Sequence, residues 1–211
     1  MQRSTIPNAI TVARIALCPL VAYLLFVPTF TSRLLAFIFF LIAAFSDLVD
    51  GHLARKHAWI SDFGKLLDPV ADKLLLVSTI LPIYILSHRP GGDDLLPILG
   101  TLPLWIVLVI FGREALITVI RGVAAKKGIV IPAGKSGKHK AVWQNIFVGT
   151  SIFWLALRSA ARAEQWDGAF WELWQKFHGA VFIVSLVVAV ALTLYSLGVY
   201  LFSWRKLTQA I

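Results

Sequence analysis

Four aspartates between positions 47 and 72 have the spacing of metal ligands. Asp47 and Asp50 are three residues apart, and Asp68 and Asp72 are four residues apart. On a helix each spacing places both carboxylates on one face, so four acids would converge from two helices. Carboxylates so close together repel one another, and a bound divalent cation relieves this repulsion. Ligands that are all oxygens favour Mg²⁺ or Mn²⁺.

Small residues accompany these aspartates. Gly51 and Ala54 lie one and two turns beyond Asp47, and Gly64 precedes Asp68 by one turn. They leave room for a bulky ligand. The simpler interpretation is a solvated loop at a membrane edge, in which the acids pair with Arg55, Lys56, Lys65 and Lys73. Four acids at paired helical spacing favour a functional site, because ionisable groups between apolar membrane segments usually mark function.

A second set of residues could bind an anion. Arg113 and Arg121 are eight residues apart, which keeps them on roughly one helical face. A basic, glycine-rich segment follows, and its Lys135, Lys138 and Lys140 could enclose an anion together with the arginines. A cytoplasmic loop of a membrane protein carries the same charges for topological reasons. Both interpretations remain open at this point.

Polar residues also recur near the N-terminus. Asn8 follows Pro7 and is a good N-cap, so a helix is predicted to begin there. Asn8, Thr11 and Arg14 then fall on one helical side. Arg14 could bind substrate, or its long side chain could extend to the membrane surface.

The elements that must position these residues are membrane helices. Of 211 residues, 58% are hydrophobic and 15% are charged, and the mean hydropathy is +0.79. Soluble domains are only about half apolar. Six apolar runs are each near the roughly 20 residues that a membrane span requires: 10–30, 33–54, 64–86, 102–125, 141–161 and 179–204. We predict an all-α polytopic membrane protein with six transmembrane helices, forming a single domain over residues 1–211.

The distribution of basic residues predicts the orientation. Segments that would share one side contain Arg3, Arg55, Lys56, Lys65, the lysines between 126 and 140, Arg205 and Lys206; the other side contains Arg33, Arg89, Arg158, Arg162 and Lys176. The positive-inside rule therefore predicts that both termini and the aspartates face the cytoplasm. The net charge of +9 fits anionic lipid and phosphate substrates. With one cysteine, Cys18, the chain has no internal disulfide.

Three further segments have local predictions. Pro69 predicts that the third helix begins or bends there. Residues 88–101 are predicted to form an exposed external loop in which Asp93 and Asp94 are solvated. Residues 158–178 are predicted to form a helix on the outer membrane surface, with an aromatic stripe of Trp166, Phe170, Trp174 and Phe177.

The aspartate motif resembles that of a known family. Its residues, Asp47-x2-Asp50-Gly51-x2-Ala54-Arg55-x8-Gly64-x3-Asp68-x3-Asp72, match the CDP-alcohol phosphotransferase family position for position. The resemblance implies an integral membrane enzyme that transfers a phosphatidyl or related group from a cytidine diphosphate carrier to an alcohol, and it implies a homodimer. It also implies two metal ions held by Asp47, Asp50, Asp68 and Asp72, with Asp72 accepting the proton of the attacking hydroxyl. Residues that would bind the CDP-lipid are Asn8, Thr11, Gly51, Ala54, Arg55 and Gly64.

A second likeness concerns the acceptor. Gly112-Arg113-Glu114 with Arg121, followed by Gly137-Lys138-His139-Lys140, resembles the phosphatidylglycerophosphate synthase branch of this family. That branch implies CDP-diacylglycerol and glycerol 3-phosphate as substrates, a cell-membrane location, and an acceptor phosphate bound by Arg113, Arg121, Lys135 and Lys138. The chain departs from the branch pattern at Gly122, where glutamate is usual, and at Ala141, where threonine is usual.

Two alternatives follow from these departures and from the acids themselves. The acceptor could be another alcohol, such as phosphatidylglycerol or inositol phosphate, although paired basic residues favour a phosphorylated one. A membrane cation transporter also places aspartate pairs and interrupted helices near the membrane centre. No inverted repeat is visible in the sequence, which disfavours the transporter.

Overall fold

The fold is all-helical over the residues that the structure describes. The structure is a computed structural model that describes the backbone of residues 5–57, 62–126 and 135–209 and the side chains of residues 8–46, 64, 67–126, 137 and 139–205. Within these ranges it contains α1 (Thr5–Phe26), α2 (Phe30–His57), α3 (Asp62–Ser87), α4 (Leu104–Lys126), α5 (Lys135–Ala163) and α6 (Ala169–Gln209). The prediction of an all-α fold is confirmed. Each of the six predicted apolar runs coincides largely or wholly with one of these helices.

The helices pack as a bundle around a continuous apolar core. Helix α1 packs against α2 and α3, α2 against α5, α5 against α6, and α6 against α4. Phe40, Phe147 and Phe182 are fully buried in this core. Gly149 on α5 lies against α2, and a β-carbon at this position would make van der Waals contact with the ring of Phe40 at 3.4 Å.

The exterior of the bundle is apolar, as expected for a protein surrounded by lipid. Large hydrophobic side chains are exposed on every helix for which side chains are described, among them Tyr23, Leu108 and Val187. Among the described residues, three helical segments are long and apolar enough to cross a membrane: Asn8–Phe26, Leu67–Ser87 and Ala169–Arg205. Phe30–Ser46 is a shorter apolar helix.

One predicted helix start was wrong, and one of the two alternatives for Pro69 is excluded. Helix α1 begins at Thr5, so Asn8 lies inside its first turns and is not the N-cap. Pro7 does not prevent this earlier start, because an amide near a helix N-terminus has no intrahelical acceptor. Helix α3 begins at Asp62 and contains Pro69, so the alternative in which it begins at Pro69 is excluded.

The predicted separate interfacial helix is also wrong. Helix α5 extends to Ala163, and α6 runs without interruption from Ala169 to Gln209. Between them, Gln165 has a φ of 51° and the Trp166 amide donates to the Ala161 carbonyl at 2.8 Å. This is a Schellman-type cap, which ends α5 and places Trp166 in the connection outside the helical stripe.

Asp94 is buried, contrary to the prediction that it is solvated. Its carboxylate accepts two hydrogen bonds from the Arg33 guanidinium, each 2.6 Å long, and its residue exposure is 6%. Arg33 also donates to the Ser159 hydroxyl at 2.8 Å and to the Leu25 carbonyl at 3.3 Å. The guanidinium is itself fully buried, so it requires a counter-charge, and the loop supplies it.

Candidate active site

Arg14 joins the two helices that carry the aspartates. Its side chain is 0% exposed, and its Nη1 lies 3.5 Å from Oδ1 of Asp72 on α3. Its Nε donates to the hydroxyl of Ser46 on α2 at 3.4 Å. Ser46 directly precedes Asp47, so Arg14 connects the beginning of the motif to its end. The interpretation that Arg14 extends to the membrane surface is wrong, because the bundle encloses it.

Thr11 forms a second connection between α1 and α3. Its buried hydroxyl donates to Oδ1 of Asp68 at 3.0 Å. Thr11 therefore contacts Asp68, and Arg14, about one turn further along α1, contacts Asp72, about one turn further along α3. Asp68 is exposed and the Asp72 side chain is 59% exposed, so both carboxylates are accessible to a ligand.

Part of the predicted site lies outside the described side chains. The last turns of α2, after Ser46, contain the backbone of five predicted site residues: Asp47, Asp50, Gly51, Ala54 and Arg55. Within the described residues, no group of three or more acidic, histidine or cysteine side chains is placed to hold a metal ion. Asn8 and Gly64 are described and are partly buried on α1 and α3.

A network of charged residues connects α4, α5 and α6. Glu114 lies between two cations: its Oε1 accepts from Nη1 of Arg113 at 3.0 Å and also from the Nζ of Lys140. Arg113 further donates through Nε and Nη2 to the Ser196 hydroxyl, at 3.2 and 3.0 Å. The side chains of Arg113 and Lys140 are only 10% and 5% exposed. Such a network fixes the relative positions of three helices.

Lys140 lies on a helix that packs against the helix of the aspartates. Helix α5 carries Lys140 and contacts α3, which carries Asp68 and Asp72. The acidic end of α3 and the basic start of α5 thus face the same region. An anion held near Lys140 would lie beside a cation held by the carboxylates.

Arg121 is separate from this network. Its Nε donates to the Tyr200 hydroxyl at 2.5 Å, and its guanidinium carbon lies 5.2 Å from the centroid of the Tyr200 ring. The eight residues from Arg113 to Arg121 correspond to a rise of about 12 Å along α4. Arg121 is exposed, whereas Arg113 is partly buried. The side chains of Lys135 and Lys138 lie outside the described residues.

Several contacts of the site have no signal in the sequence. Ser46, Ser196 and Tyr200 lie in apolar helices where a single hydroxyl residue is unremarkable. Glu114 and Lys140 belong to segments that the sequence analysis identified, but their pairing is a tertiary contact between α4 and α5. The sequence shows only an acid within an apolar run and a basic segment that follows this run.

The site can therefore act on a substrate that carries phosphate. Two accessible carboxylates on α3 provide oxygen ligands for a hard cation or an acceptor for a proton. Arg113, Lys140 and Arg121 outnumber Glu114, so the neighbouring region on α4 and α5 has an excess of positive charge. Carboxylates beside cations are the arrangement expected for metal-assisted phosphoryl transfer.

Comparison with known proteins identifies the class. A model of the CDP-alcohol phosphatidyltransferase family matches residues 4–195, so the chain belongs to this family. The chain is 35% identical over 159 residues to the CDP-diacylglycerol--glycerol-3-phosphate 3-phosphatidyltransferase of Bacillus subtilis, covering 70% of this chain and 75% of the relative. It is 30% identical over 210 residues to CDP-diacylglycerol--glycerol-3-phosphate 3-phosphatidyltransferase 2 of Arabidopsis thaliana, covering 97% and 82%.

A relative with a different name also matches. The CMP-forming cardiolipin synthase of Streptomyces coelicolor is 37% identical over 131 residues, covering 61% of this chain and 55% of the relative. The resemblance stated from the aspartate motif is confirmed, and the chain is a membrane-associated transferase. Membership of a transferase family gives no support to the hypothesis of a cation transporter.

Proposed function

We propose that this enzyme transfers the phosphatidyl group of CDP-diacylglycerol to sn-glycerol 3-phosphate, giving phosphatidylglycerophosphate and CMP. The observation that carries the proposal is that Thr11 and Arg14 contact Asp68 and Asp72 on α3, a helix that packs against α5, where Lys140 pairs with Glu114. This arrangement supports a proposal in which an aspartate accepts a proton and the neighbouring cations bind a phosphorylated alcohol.

Asp72 has the position expected of the proton acceptor. In the reaction, the glycerol hydroxyl oxygen forms a new bond to the phosphorus that carries diacylglycerol, and the bond from that phosphorus to the CMP phosphate breaks. The hydroxyl proton passes to Asp72, and CMP leaves with the electron pair of the broken bond. Arg14 balances the charge of Asp72 and holds it on the α1 side of the site.

Divalent metal ions fit the donor groups of this site. Asp47, Asp50, Asp68 and Asp72 would hold two Mg²⁺ or Mn²⁺ ions, and all their donor atoms are carboxylate oxygens, as these ions prefer. Bound ions would polarise the diphosphate and neutralise the departing CMP. Thr11 donates to Asp68 and so fixes the direction of one carboxylate.

The nucleotide and acceptor regions are assigned from the motif and the charges. Asn8, Thr11, Gly51, Ala54, Arg55 and Gly64 would contact CDP-diacylglycerol, with the small residues leaving space for cytidine. The acceptor phosphate would bind to Arg113, Arg121, Lys135 and Lys138. Among these, Arg121 is exposed and oriented by Tyr200, so it is the described residue best placed to meet a soluble ligand.

Six membrane spans in one domain over residues 1–211 would place this site at the cytoplasmic face of the cell membrane, with both termini cytoplasmic. The distance along α5 supports this arrangement. From Lys140 at the site to Arg158 near the other end, the helix rises about 27 Å, close to the hydrocarbon thickness of a bilayer. A homodimer is part of the same proposal.

An acceptor panel tests the proposed function. The purified protein in detergent micelles would receive CDP-diacylglycerol and Mg²⁺ together with glycerol 3-phosphate, phosphatidylglycerol or inositol phosphate, and CMP release would be measured for each. We expect rapid release with glycerol 3-phosphate alone. The cardiolipin synthase relative makes phosphatidylglycerol the most informative competitor, and faster turnover with it would replace the proposed acceptor.

Arg121 provides a test of the acceptor region. Changing Arg121 to alanine is expected to raise the KM for glycerol 3-phosphate about tenfold or more, since charge-assisted contacts to phosphate contribute about 1.5–3 kcal/mol. The KM for CDP-diacylglycerol should change much less. Arg121→Lys should recover only part of the loss, because lysine lacks the planar pair of donors. Steady-state kinetics with each substrate varied in turn give both constants.

Lys126→Ala is the matched control, because Lys126 is exposed near the end of the same helix. This variant should retain the wild-type constants. Equal weakening toward both substrates in Arg121→Ala would mean that Arg121 acts as a structural charge. An unchanged KM would move the acceptor site away from α4.

A further inference from the structure

The end of the bundle opposite the candidate active site contains a large aromatic cavity. Its volume is about 600 Å³, and it lies where α5 ends and α6 begins. The side chains that define its character are Phe153, Trp166, Phe170, Trp171 and Trp174, together with the acids Glu164 and Asp167. None of these residues belongs to the proposed catalytic machinery.

The tryptophans are held in fixed mutual positions. Trp171 stacks on Trp154 with ring centroids 6.0 Å apart, and Trp166 meets Trp171 edge-on at 5.3 Å. Trp166 is held in place by the Schellman-type cap, in which Gln165 adopts the left-handed φ that glycine normally occupies. A non-glycine residue in this conformation is costly and often marks a functional position.

Acidic side chains lie in the same cavity as the aromatic rings. Glu164 accepts a hydrogen bond from Nε1 of Trp166 at 2.6 Å, so its carboxylate is held beside that ring. Asp167 is exposed on the cavity wall. Aromatic faces combined with carboxylates are the arrangement that recognises an alkylammonium group, through cation–π attraction and charge.

A second pocket adjoins this cavity and has the opposite charge character. Its volume is about 290 Å³, it shares Trp166 and Trp171 with the cavity, and Arg158 and Arg162 line it. The two arginines are four residues apart on α5, so their side chains share one face of the helix. Asp93 lies 3.6 Å from Arg162 and also lines this pocket. Asp94, which pairs with Arg33, lies 3.9 Å from Arg162, so two acids face three arginines. A phosphate group would complete that balance.

The location fits the membrane surface. Arg158 lies about 27 Å along α5 from Lys140, which places both pockets near the other face of a bilayer. Tryptophan is enriched at the level of lipid headgroups. In addition, Trp174 lines the cavity, and its indole nitrogen is buried without a hydrogen-bond partner among the described residues.

We infer that these adjoining pockets bind the headgroup of one zwitterionic phospholipid of the surrounding membrane. Its phosphate lies between Arg158 and Arg162, and its ammonium group lies among Trp166, Trp171 and Glu164. The apolar walls toward Phe153 contact its acyl chains. An anionic phospholipid such as phosphatidylglycerol lacks the ammonium group, so it satisfies only the arginines and leaves the acids of the cavity without a counter-charge.

Native mass spectrometry of the full chain, released from detergent micelles with equal amounts of phosphatidylethanolamine and phosphatidylglycerol, tests this inference. We expect the phosphatidylethanolamine adduct to exceed the phosphatidylglycerol adduct about tenfold, because only the ammonium group can contact both the Glu164 carboxylate and the tryptophan rings. Arg158→Gln and Trp171→Leu should each reduce the adduct severalfold. Arg89→Gln and Trp105→Leu are matched controls, because both residues are exposed near the same end of the bundle and line neither pocket.

Photo-crosslinking of the wild-type chain gives an answer that does not depend on how the variants fold. A phosphatidylethanolamine with a diazirine on its acyl chain should label peptides within residues 153–174. Equal retention of both lipids, or labelling that excludes this segment, would overturn the inference. The inference would also be overturned if the protein formed a lipid-free dimer in which the same aromatic side chains contact a second copy.

Discussion

Replacing Asp68 by asparagine is expected to reduce phosphatidyl transfer at least about 100-fold at every Mg²⁺ concentration tested, as losses of charge stabilisation at phosphoryl-transfer sites do. Asparagine keeps the size of the side chain and can still accept from the Thr11 hydroxyl, which lies 3.0 Å from Asp68. The change therefore removes one negative charge with little disturbance of packing. Initial rates of CMP release over a Mg²⁺ titration measure the effect.

The matched control for this variant is Glu172→Gln. Glu172 is an exposed acid in the first turn of α6, outside every site proposed above, so its loss should leave the rate unchanged. Unchanged thermal denaturation in detergent would show that Asp68→Asn is folded. Turnover above a few per cent of wild type would contradict the assignment of Asp68 as a metal ligand, and recovery at high Mg²⁺ would mean a peripheral role.

The helices were predictable because their signal is local. Long apolar runs need no tertiary information, and all six overlap helices of the structure. A single residue does not fix a helix boundary: α1 begins before Asn8, and α3 continues through Pro69. Packing within the bundle determines where a helix ends, and it outweighs the modest preference of a cap residue or the one hydrogen bond that a proline removes.

The charged contacts were only partly predictable. Spacing placed Asp68 and Asp72 on one face of α3, because a helix converts sequence separation directly into position. Nothing in the sequence indicates that Arg14 reaches both Asp72 and Ser46, because these contacts join helices that are distant in sequence. The loop composition predicts a solvated Asp94. Its burial depends on a tertiary contact with Arg33, which is buried beneath that loop.

Charged side chains that the structure describes form two layers, one at each end of the bundle. Arg14, Lys140 and Glu114 lie at the end that holds the candidate active site, and Arg33, Asp94 and Arg158 lie at the other. The helices between them are apolar on their outer faces. Charges confined to two levels separated by about the thickness of a bilayer support a membrane-spanning bundle more directly than hydropathy alone.

Changing Asp94 to leucine is expected to destabilise the fold more than any other single substitution at this outer layer. The variant leaves the Arg33 guanidinium buried with no carboxylate, and breaking one side of a buried ion pair costs about 3–5 kcal/mol. For a chain of this length the loss corresponds to a fall in the denaturation midpoint of roughly 6–20 °C. Thermal denaturation of the purified protein in one detergent, followed by circular dichroism, measures it.

Two further variants show whether burial of the charge is the cause. Asp93→Asn should lower the midpoint little, since the Asp93 side chain is 68% exposed and exposed ion pairs contribute only about 0–1 kcal/mol. The double variant Arg33→Leu with Asp94→Leu should be more stable than Asp94→Leu alone, because no unpaired charge then remains inside the bundle. A double variant less stable than the single one would mean that Arg33 stabilises the fold mainly through its bonds to Leu25 and Ser159, and the ion pair would then be secondary.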